Sequence, residues 1–238
     1  MEKRNPWAWI PSLYFAEGLP YVVVMTLSVI MYKRLGVSNT DIALFTSWLY
    51  FPWVIKPIWS PFVDLIKTKR WWIYSMQLLI GGGMAGVAFV LPGDFFLRFT
   101  LAFFWLMAFS SATHDIAADG FYMLGLTEEQ QAFFIGIRNT FYRVAMLTGQ
   151  GLLVMLAGLL EESTGRISFA WSLVFFVLAG TFIALALWHK YILPRPASDA
   201  QRTNITPHTI LVEFGNTFVS FFNKKGIVPA LLFMLTYR

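Results

Sequence analysis

A short polar segment holds two carboxylates and an imidazole at the end of an otherwise apolar run. Residues 111–120 read Ser-Ala-Thr-His-Asp-Ile-Ala-Ala-Asp-Gly. An ionisable group inside a membrane costs roughly 2.5–3.5 kcal/mol on insertion scales, so such groups usually serve a function. Asp115 and Asp119 share a helical face, and His114 points about a quarter turn away. These side chains could carry a proton or bind a polar solute. The alternative is that Asp119 and Gly120 only mark the end of a helix.

The next apolar block contains polar residues with the spacing of one helical face. An arginine inside a membrane needs a counter-charge, so Arg143 is predicted to pair with Asp115 or Asp119. Competition between an arginine, a proton and a ligand for one carboxylate is a physical basis for coupled transport. A purely structural ion pair is the alternative. The stripe consists of Asn139, Arg143 and Gln150, with Arg138 and Tyr142 beside it.

Two earlier apolar blocks each contain a charged residue that could act at the same site. Glu17 lies next to Gly18 and close to Pro20, which weaken a helix locally, and broken helices are where transporters bind substrates. This context favours a functional Glu17 over a carboxylate that reaches the membrane surface. Lys56 lies between two prolines in the second block. It can either extend to the membrane surface or pair with a carboxylate.

A loop after the second block places an acid opposite bases. Asp64 ends that block, and Lys69 and Arg70 begin the next one. Together they could form a latch, or gate, between neighbouring helices on the cytoplasmic side. A plain positive-inside anchor would need only the bases, so Asp64 favours the latch. The glycines at 81–83 and 86 predict close helix packing.

The composition indicates a membrane protein and excludes several other classes. The 238-residue chain is 57% hydrophobic and only 13% charged, whereas soluble domains carry about 25% charged residues. The net charge of +5 comes mainly from short loops and helix ends, which argues against nucleic-acid binding. With no cysteines and three widely spaced histidines, no metal site is predicted. Nucleotide-binding, serine-nucleophile and zinc-protease motifs are absent, so neither an enzyme nor a cofactor is expected.

Six apolar blocks are long enough to cross a membrane as helices. They cover residues 9–31, 42–62, 71–91, 95–118, 134–160 and 169–191. A seventh block, 226–238, is too short to cross. The chain therefore divides into a six-helix bundle (1–192), a cytoplasmic linker (193–225) and the start of a seventh helix. Lysines and arginines are concentrated in the segments that face inward if the N-terminus is cytoplasmic. This layout is that of the N-terminal half of a major facilitator transporter.

Several segments resemble the AmpG-like muropeptide permeases, a branch of the major facilitator superfamily that extends to acetyl-CoA transporters. The resemblance covers most of residues 10–160. It implies a proton-driven permease of the bacterial inner membrane that imports anhydromuropeptides for cell-wall recycling. Glu17 replaces a serine of that pattern and His114 replaces a glutamine. The matching segments are Glu-Gly-Leu-Pro at 17–20, Pro-Trp-Val-Ile-Lys-Pro-Ile-Trp-Ser-Pro at 52–61, the degenerate loop 64–70, Ser-Ala-Thr-His-Asp-Ile-Ala-Ala-Asp at 111–119 and Tyr-Arg at 142–143.

Three hypotheses follow from these observations. The first is a secondary transporter in which protons load Asp115, Asp119 or Glu17, and a small-molecule substrate binds between this bundle and a missing C-terminal half within the lipid bilayer. The second keeps this fold but changes the solute to a sugar, a peptide or an acyl-CoA. The third is an inactive half-transporter fragment or a membrane-embedded regulatory subunit.

Overall fold

A computed structural model describes residues 4–199 and 207–236, and every regular element in these ranges is helical. Within this part of the chain, five helices are long and apolar enough to cross a membrane: Pro6–Arg34, Lys69–Val90, Phe96–Gly125, Glu128–Thr164 and Ile167–Ile192. The predicted all-α, polytopic membrane fold is thus confirmed. In chain order the helices are α1 (Pro6–Arg34), α2 (Asn39–Thr46), α3 (Phe51–Ile55), α4 (Ser60–Leu65), α5 (Lys69–Val90), α6 (Phe96–Gly125), α7 (Glu128–Thr164), α8 (Ile167–Ile192), α9 (Pro207–Phe222) and α10 (Ile227–Thr236).

Side chains at the loops define where the long helices begin and end. The hydroxyl of Thr68 accepts from the backbone N–H of Trp71 at 3.1 Å and so caps α5. Thr127 and Gln130 form a capping box at the start of α7, in which each side chain bonds the other residue's backbone N–H. Gly165 ends α7 in the left-handed region at φ 64°, which glycine adopts without steric cost. The short loops thereby keep neighbouring helices antiparallel.

The second predicted span is not one continuous helix, which corrects the expectation for residues 42–62. It consists of α2, α3 and α4, joined by the 3₁₀ turns Ser47–Tyr50 and Lys56–Ile58. Proline lacks a backbone N–H and its ring clashes with the preceding turn. Pro52, Pro57 and Pro61 lie in the first turn of α3, of the second 3₁₀ turn and of α4. The prolines therefore interrupt the helix on both sides of Lys56.

The expected weakening of α1 at Gly18 and Pro20 takes a different form. The helix continues through both residues and then widens into a π turn over Val23–Leu27. A second π turn covers Thr148–Leu152 in α7, and the two π turns pack against each other. Gly18 serves close packing, since a Cβ atom there would lie 2.9 Å from the carbonyl oxygen of Tyr142.

The glycines of α5 pack against two neighbouring helices, as predicted. A Cβ atom at Gly81 would lie 3.2 Å from Cβ of Phe182 on α8, and one at Gly83 would lie 2.7 Å from Cγ of Met107 on α6. Lipid tails are as apolar as leucine, so close van der Waals contact contributes more to helix association in membranes than burial of apolar surface does. These small residues let α5 lie directly against both α6 and α8.

A polar layer separates two clusters of buried apolar side chains. Along α6 the larger cluster ends at Ala108 and the smaller cluster begins at Ala117. Along α5 the corresponding residues are Ile80 and Ile73, with Gln77 between them. The polar segment of α6 therefore crosses the bundle at the level where apolar packing is interrupted.

The predicted linker contains α9, which packs on α4, and α10 follows it. The rings of Phe62 and Phe214 lie 6.0 Å apart and join α9 to the end of α4. Parts of the predicted domain division, at residues 1–3, 200–206 and 237–238, lie outside the described residues. The division at residues 192 and 225 stays a prediction.

Candidate functional site

Asp119 on α6 is held by residues from two other helices. Nη2 of Arg138 on α7 donates to Oδ1 of Asp119 at 2.9 Å, and the hydroxyl of Tyr14 on α1 donates to the same oxygen at 3.4 Å. The Arg138 guanidinium also lies over the rings of Tyr14 and Tyr122, 4.5 and 5.2 Å from their centres. A cation over an aromatic face is attracted by the ring quadrupole. Asp119 therefore has a charge-paired position at one edge of the site.

Asp115, one turn deeper, is held more loosely. Its Oδ2 atom lies 3.7 Å from Nζ of Lys56, and its Oδ1 atom is buried with no hydrogen-bond partner in the described chain. Glu17 on α1 is only 8% exposed, its Oε2 atom also lacks a partner, and the charges of Asp115 and Asp119 act on it. A buried oxygen without a hydrogen bond is costly. A proton, a cation or a polar group of a solute would stabilise either atom.

The predicted pairing of Arg143 with an aspartate is wrong, because Lys56 and Arg138 are the observed partners. Arg138 and Arg143 are five residues apart, which turns their side chains about 140° from one another on a helix. Arg143 instead faces outward. The polar stripe of Asn139, Arg143 and Gln150 is exposed, and none of its side chains makes a hydrogen bond or ion pair with the residues described here.

His114 points away from the aspartates into the polar layer. Its Nε2 atom lies 2.9 Å from Nε2 of Gln77, and Oε1 of Gln77 lies 2.9 Å from Nδ1 of His189. The series ends at Ser12, whose hydroxyl is 2.9 Å from Nε2 of His189. Gln77, His189 and Ser12 were not among the residues predicted from the sequence. The signal that could have identified the first is an amide placed mid-block in an otherwise apolar helix.

The structure brings the two ends of the predicted latch together. Nζ of Lys69 bonds Oδ1 of Asp64, and the Lys69 side chain is 9% exposed while that of Asp64 is 56% exposed. The lysine stem lies over Gly120, where an added Cβ atom would meet Cε at 2.9 Å. The pair therefore closes α4 and α5 onto the end of the polar segment of α6.

Arg70 and Asp199 extend this contact to α8 and to the start of the linker. The Arg70 guanidinium donates to the backbone carbonyls of Lys190 and Leu193 at the end of α8. The Asp199 carboxylate accepts the backbone N–H groups of Lys69 and Arg70, at 2.7 and 3.1 Å. Burial raises the pKa of Asp199, and these two N–H donors oppose part of that rise. Asp199, which follows α8 in the chain, thus caps the N-terminus of α5.

A cavity of about 650 Å³ connects the charged site with the latch. Two lysines and two aspartates line it, and aromatic side chains of α9 lie along one wall. Such a mixture suits a polar or charged solute with an apolar portion. The lining residues that matter here are Lys56, Asp64, Lys69, Asp119, Phe221 and Phe222.

A further ion pair, not predicted from the sequence, lies at the opposite end of the bundle. Glu161 near the end of α7 pairs with Arg34 at the end of α1, and Nε of Arg34 is 3.0 Å from Oε2. Nε1 of Trp171 on α8 donates to Oε1 of the same carboxylate at 2.8 Å. Three helix ends are therefore joined through one buried carboxylate.

The chemistry of the central site is that of exchangeable ion pairs. The described residues contain no group of three or more His, Cys, Asp or Glu side chains that could hold a metal ion. Glu17, Lys56, Asp115, Asp119 and Arg138 instead provide three acids and two bases within one region of the bundle. Such a group can exchange one partner for another without a change of covalent structure.

Comparison with known proteins places the chain in a family. The model of the BT1 family matches residues 16–215. The anhydromuropeptide permease of Escherichia coli strain K12 is 26% identical over 233 residues, covering 95% of this chain and 44% of that protein. An uncharacterised protein of Haemophilus influenzae is 26% identical, covering 94% of this chain and 51% of its own length. An uncharacterised protein of Schizosaccharomyces pombe is 28% identical over 142 residues, which is 56% of this chain and 27% of that protein.

These matches confirm the resemblance to muropeptide permeases first seen in short segments. This chain spans about half the length of the bacterial relatives that it matches.

Proposed function

We propose that this chain, which belongs to the BT1 family, acts in secondary active transport, as the six-helix N-terminal part of a proton-coupled importer. The proposed solute is an anhydromuropeptide, because one relative that matches 95% of this chain carries that name. This chain is 26% identical to that relative, and Glu17 and His114 replace a serine and a glutamine of the segments that resemble the group. The proposal places the protein in the bacterial inner membrane with its N-terminus in the cytoplasm.

The observation that carries this proposal is the buried pair of carboxyl groups with unsatisfied oxygens. Oε2 of Glu17 and Oδ1 of Asp115 lack partners in the described chain, and the ion pair from Asp115 to Lys56 is long, at 3.7 Å. A buried ion pair is weakly stabilising unless its hydrogen bonds are satisfied. A proton on either carboxyl group, or a solute that binds Lys56, would therefore change which partner Asp115 keeps.

The proposed cycle uses this competition. A proton arriving from the outer side loads Asp115, Asp119 or Glu17 and frees Lys56 for the solute. The polar stripe of Asn139, Arg143 and Gln150 would face the solute from α7, across the interface with a second helical bundle. Opening of the Asp64–Lys69 latch would then connect the cavity with the cytoplasm. Two observations support parts of this cycle: the stripe is exposed, and the latch is closed.

The test is uptake into proteoliposomes of the complete gene product under an acid-outside pH gradient. We expect Asp115→Asn to retain exchange of labelled anhydromuropeptide but to lose gradient-driven accumulation, because exchange needs no net proton movement. Lys56→Gln should weaken exchange itself. Glu128→Gln, an exposed change in the first turn of α7, is the matched control and should behave as wild type.

Two results would reject parts of the proposal. Wild-type accumulation by Asp115→Asn would remove this residue from coupling. Competition by sugars, dipeptides or acyl-CoA, with none by anhydromuropeptide, would change the solute while keeping the transporter. Thermal unfolding of each variant in detergent separates these outcomes from loss of the fold.

A further inference from the structure

Four helices are joined through one side chain each inside the polar layer. Ser12 of α1, His189 of α8, Gln77 of α5 and His114 of α6 form a continuous hydrogen-bonded series, which we call the polar chain. We propose that the polar chain sets the rotation of α6 that places Asp115 in the charged site. His114 is then a positioning residue for Asp115 and does not carry the transported proton. The statement about the transported proton rests on the proposed function, whereas the statement about the rotation of α6 does not.

Donors and acceptors in the polar chain match along its length. The Gln77 amide nitrogen donates to Nε2 of His114, and the amide oxygen accepts from Nδ1 of His189. Nε2 of His189 is then an acceptor for the Ser12 hydroxyl, whose proton is shared with the carbonyl oxygen of Trp9 at 3.2 Å. The side chains of Gln77, His114 and His189 are all 0% exposed. Bonds of this kind in a low-dielectric interior are stronger than in water and costly to leave unmade, so each link holds its helix in place.

Asp115 depends on this support because its own contacts are weak. Its one ion pair is 3.7 Å long and its other oxygen has no partner in the described chain. Successive residues on a helix are turned by about 100°. A fixed His114 therefore directs Asp115 toward Lys56, whereas a rotation of α6 by a fraction of a turn would separate them.

The surroundings of His114 fit anchoring better than proton transfer. Its recorded hydrogen-bond partner is the Gln77 amide, which has no titratable proton, and its Nδ1 atom is buried without a partner in the described chain. A glutamine at position 114 has an amide oxygen that can accept from Gln77 in the same way, but it cannot be protonated at physiological pH. The variant His114→Gln therefore separates the two roles.

The first experiment measures geometry and needs no solute. The 238 residues contain no cysteine, so Lys56→Cys and Asp115→Cys can be joined by a short bifunctional thiol reagent in the purified complete protein once any cysteine outside these residues has been replaced by serine. We expect His114→Leu to slow cross-linking about tenfold, because it leaves a buried amide donor unpaired. His114→Gln should restore the wild-type rate. Phe104→Leu, an equally buried apolar change on α6, should leave the rate unchanged. Only protein that elutes as a single folded species is scored.

The second experiment measures proton-driven accumulation of anhydromuropeptide by His114→Gln with all other residues native. Accumulation equal to wild type supports the positioning role. Three results would overturn the inference: unchanged cross-linking in His114→Leu, slowed cross-linking in His114→Gln, or lost accumulation in His114→Gln with normal cross-linking. If the wild-type protein itself accumulates nothing, the proposed transport function fails, and the cross-linking rates still decide whether the polar chain positions Asp115.

Discussion

Asp115 and Asp119 are one helical turn apart, but their side chains have different contacts. Asp119 accepts from both Arg138 and Tyr14, whereas Asp115 has a long ion pair with Lys56 and a buried Oδ1 atom without a partner in the described chain. The carboxyl group with fewer partners is the one whose occupant can change at least cost. At the scale of single residues, the site therefore contains one closely held carboxylate and one loosely held carboxylate.

Two buried tryptophans allow a direct test of one hydrogen bond. Nε1 of Trp171 donates to Glu161, while Nε1 of Trp9 has no hydrogen-bond partner in the described chain. We expect Trp171→Phe to lower the free energy of unfolding by about 1–3 kcal/mol more than Trp9→Phe, since it leaves a buried acceptor short of a donor. Thermal unfolding in detergent measures both.

The two tryptophan changes are well matched, because both rings are buried to within 1% and lose the same atoms. Their packing costs therefore largely cancel. Equal losses of stability would mean that the Glu161 hydrogen bond contributes nothing at the end of the bundle where Arg34 and Glu161 lie.

At the scale of helices, glycine controls how closely α1 and α7 approach. Gly18 faces the backbone of α7 at Tyr142, and Gly149 of α7 faces the side chain of Val22 on α1. Both contacts lie at or near the paired π turns. π turns are rare and often mark functional positions in helices. The pair α1 and α7 therefore has a tight and irregular contact beside the charged site.

A pair of glycine substitutions on α7 tests this contact. Gly149→Ala should destabilise the protein by about 1–3 kcal/mol, because Val22 must move to admit the methyl group. Gly136→Ala meets nothing within 4 Å and should be neutral or stabilising by about 0.5–1 kcal/mol, as alanine is the better helix former. Unfolding midpoints in detergent compare the two. A Gly149→Ala protein as stable as wild type would show that the contact can relax freely.

At the scale of the whole molecule, polar contacts close the bundle at both ends. Asp64, Lys69, Arg70 and Asp199 lie at one end, and Arg34 and Glu161 lie at the other.

We expect Glu129→Cys to react with a membrane-impermeant maleimide only in inverted vesicles, and Arg166→Cys only in intact cells, since the N-terminus is predicted to be cytoplasmic. Both residues are exposed, and these 238 residues contain no native cysteine that would add background labelling. The reverse pattern would invert the proposed orientation.

Sequence patterns predicted long-range features better than specific partners. Block length and apolarity identified five continuous spans, since a membrane constrains every residue of a span in the same way. The breaks around Lys56 required knowing how three prolines divide one block. Charge alone could not distinguish Arg138 from Arg143 as the partner of Asp119, because that choice depends on helix rotation. Gln77 and His189 were missed because the hydrogen bond between them joins residues 112 positions apart in the chain.

The two π turns have a consequence for any comparison of helix faces in this protein. Each π turn accommodates one residue more than an α-helical turn does, which displaces everything beyond it by about 100°. In α1, helical faces assigned by residue spacing are therefore offset between the residues before Val23 and those after Leu27. The same offset separates the residues before Thr148 from those after Leu152 in α7. Gln150 lies inside the second π turn, so its spacing from Arg143 does not by itself place both on one stripe. Substitutions in relatives should therefore be mapped separately onto the helix segments before and after each π turn.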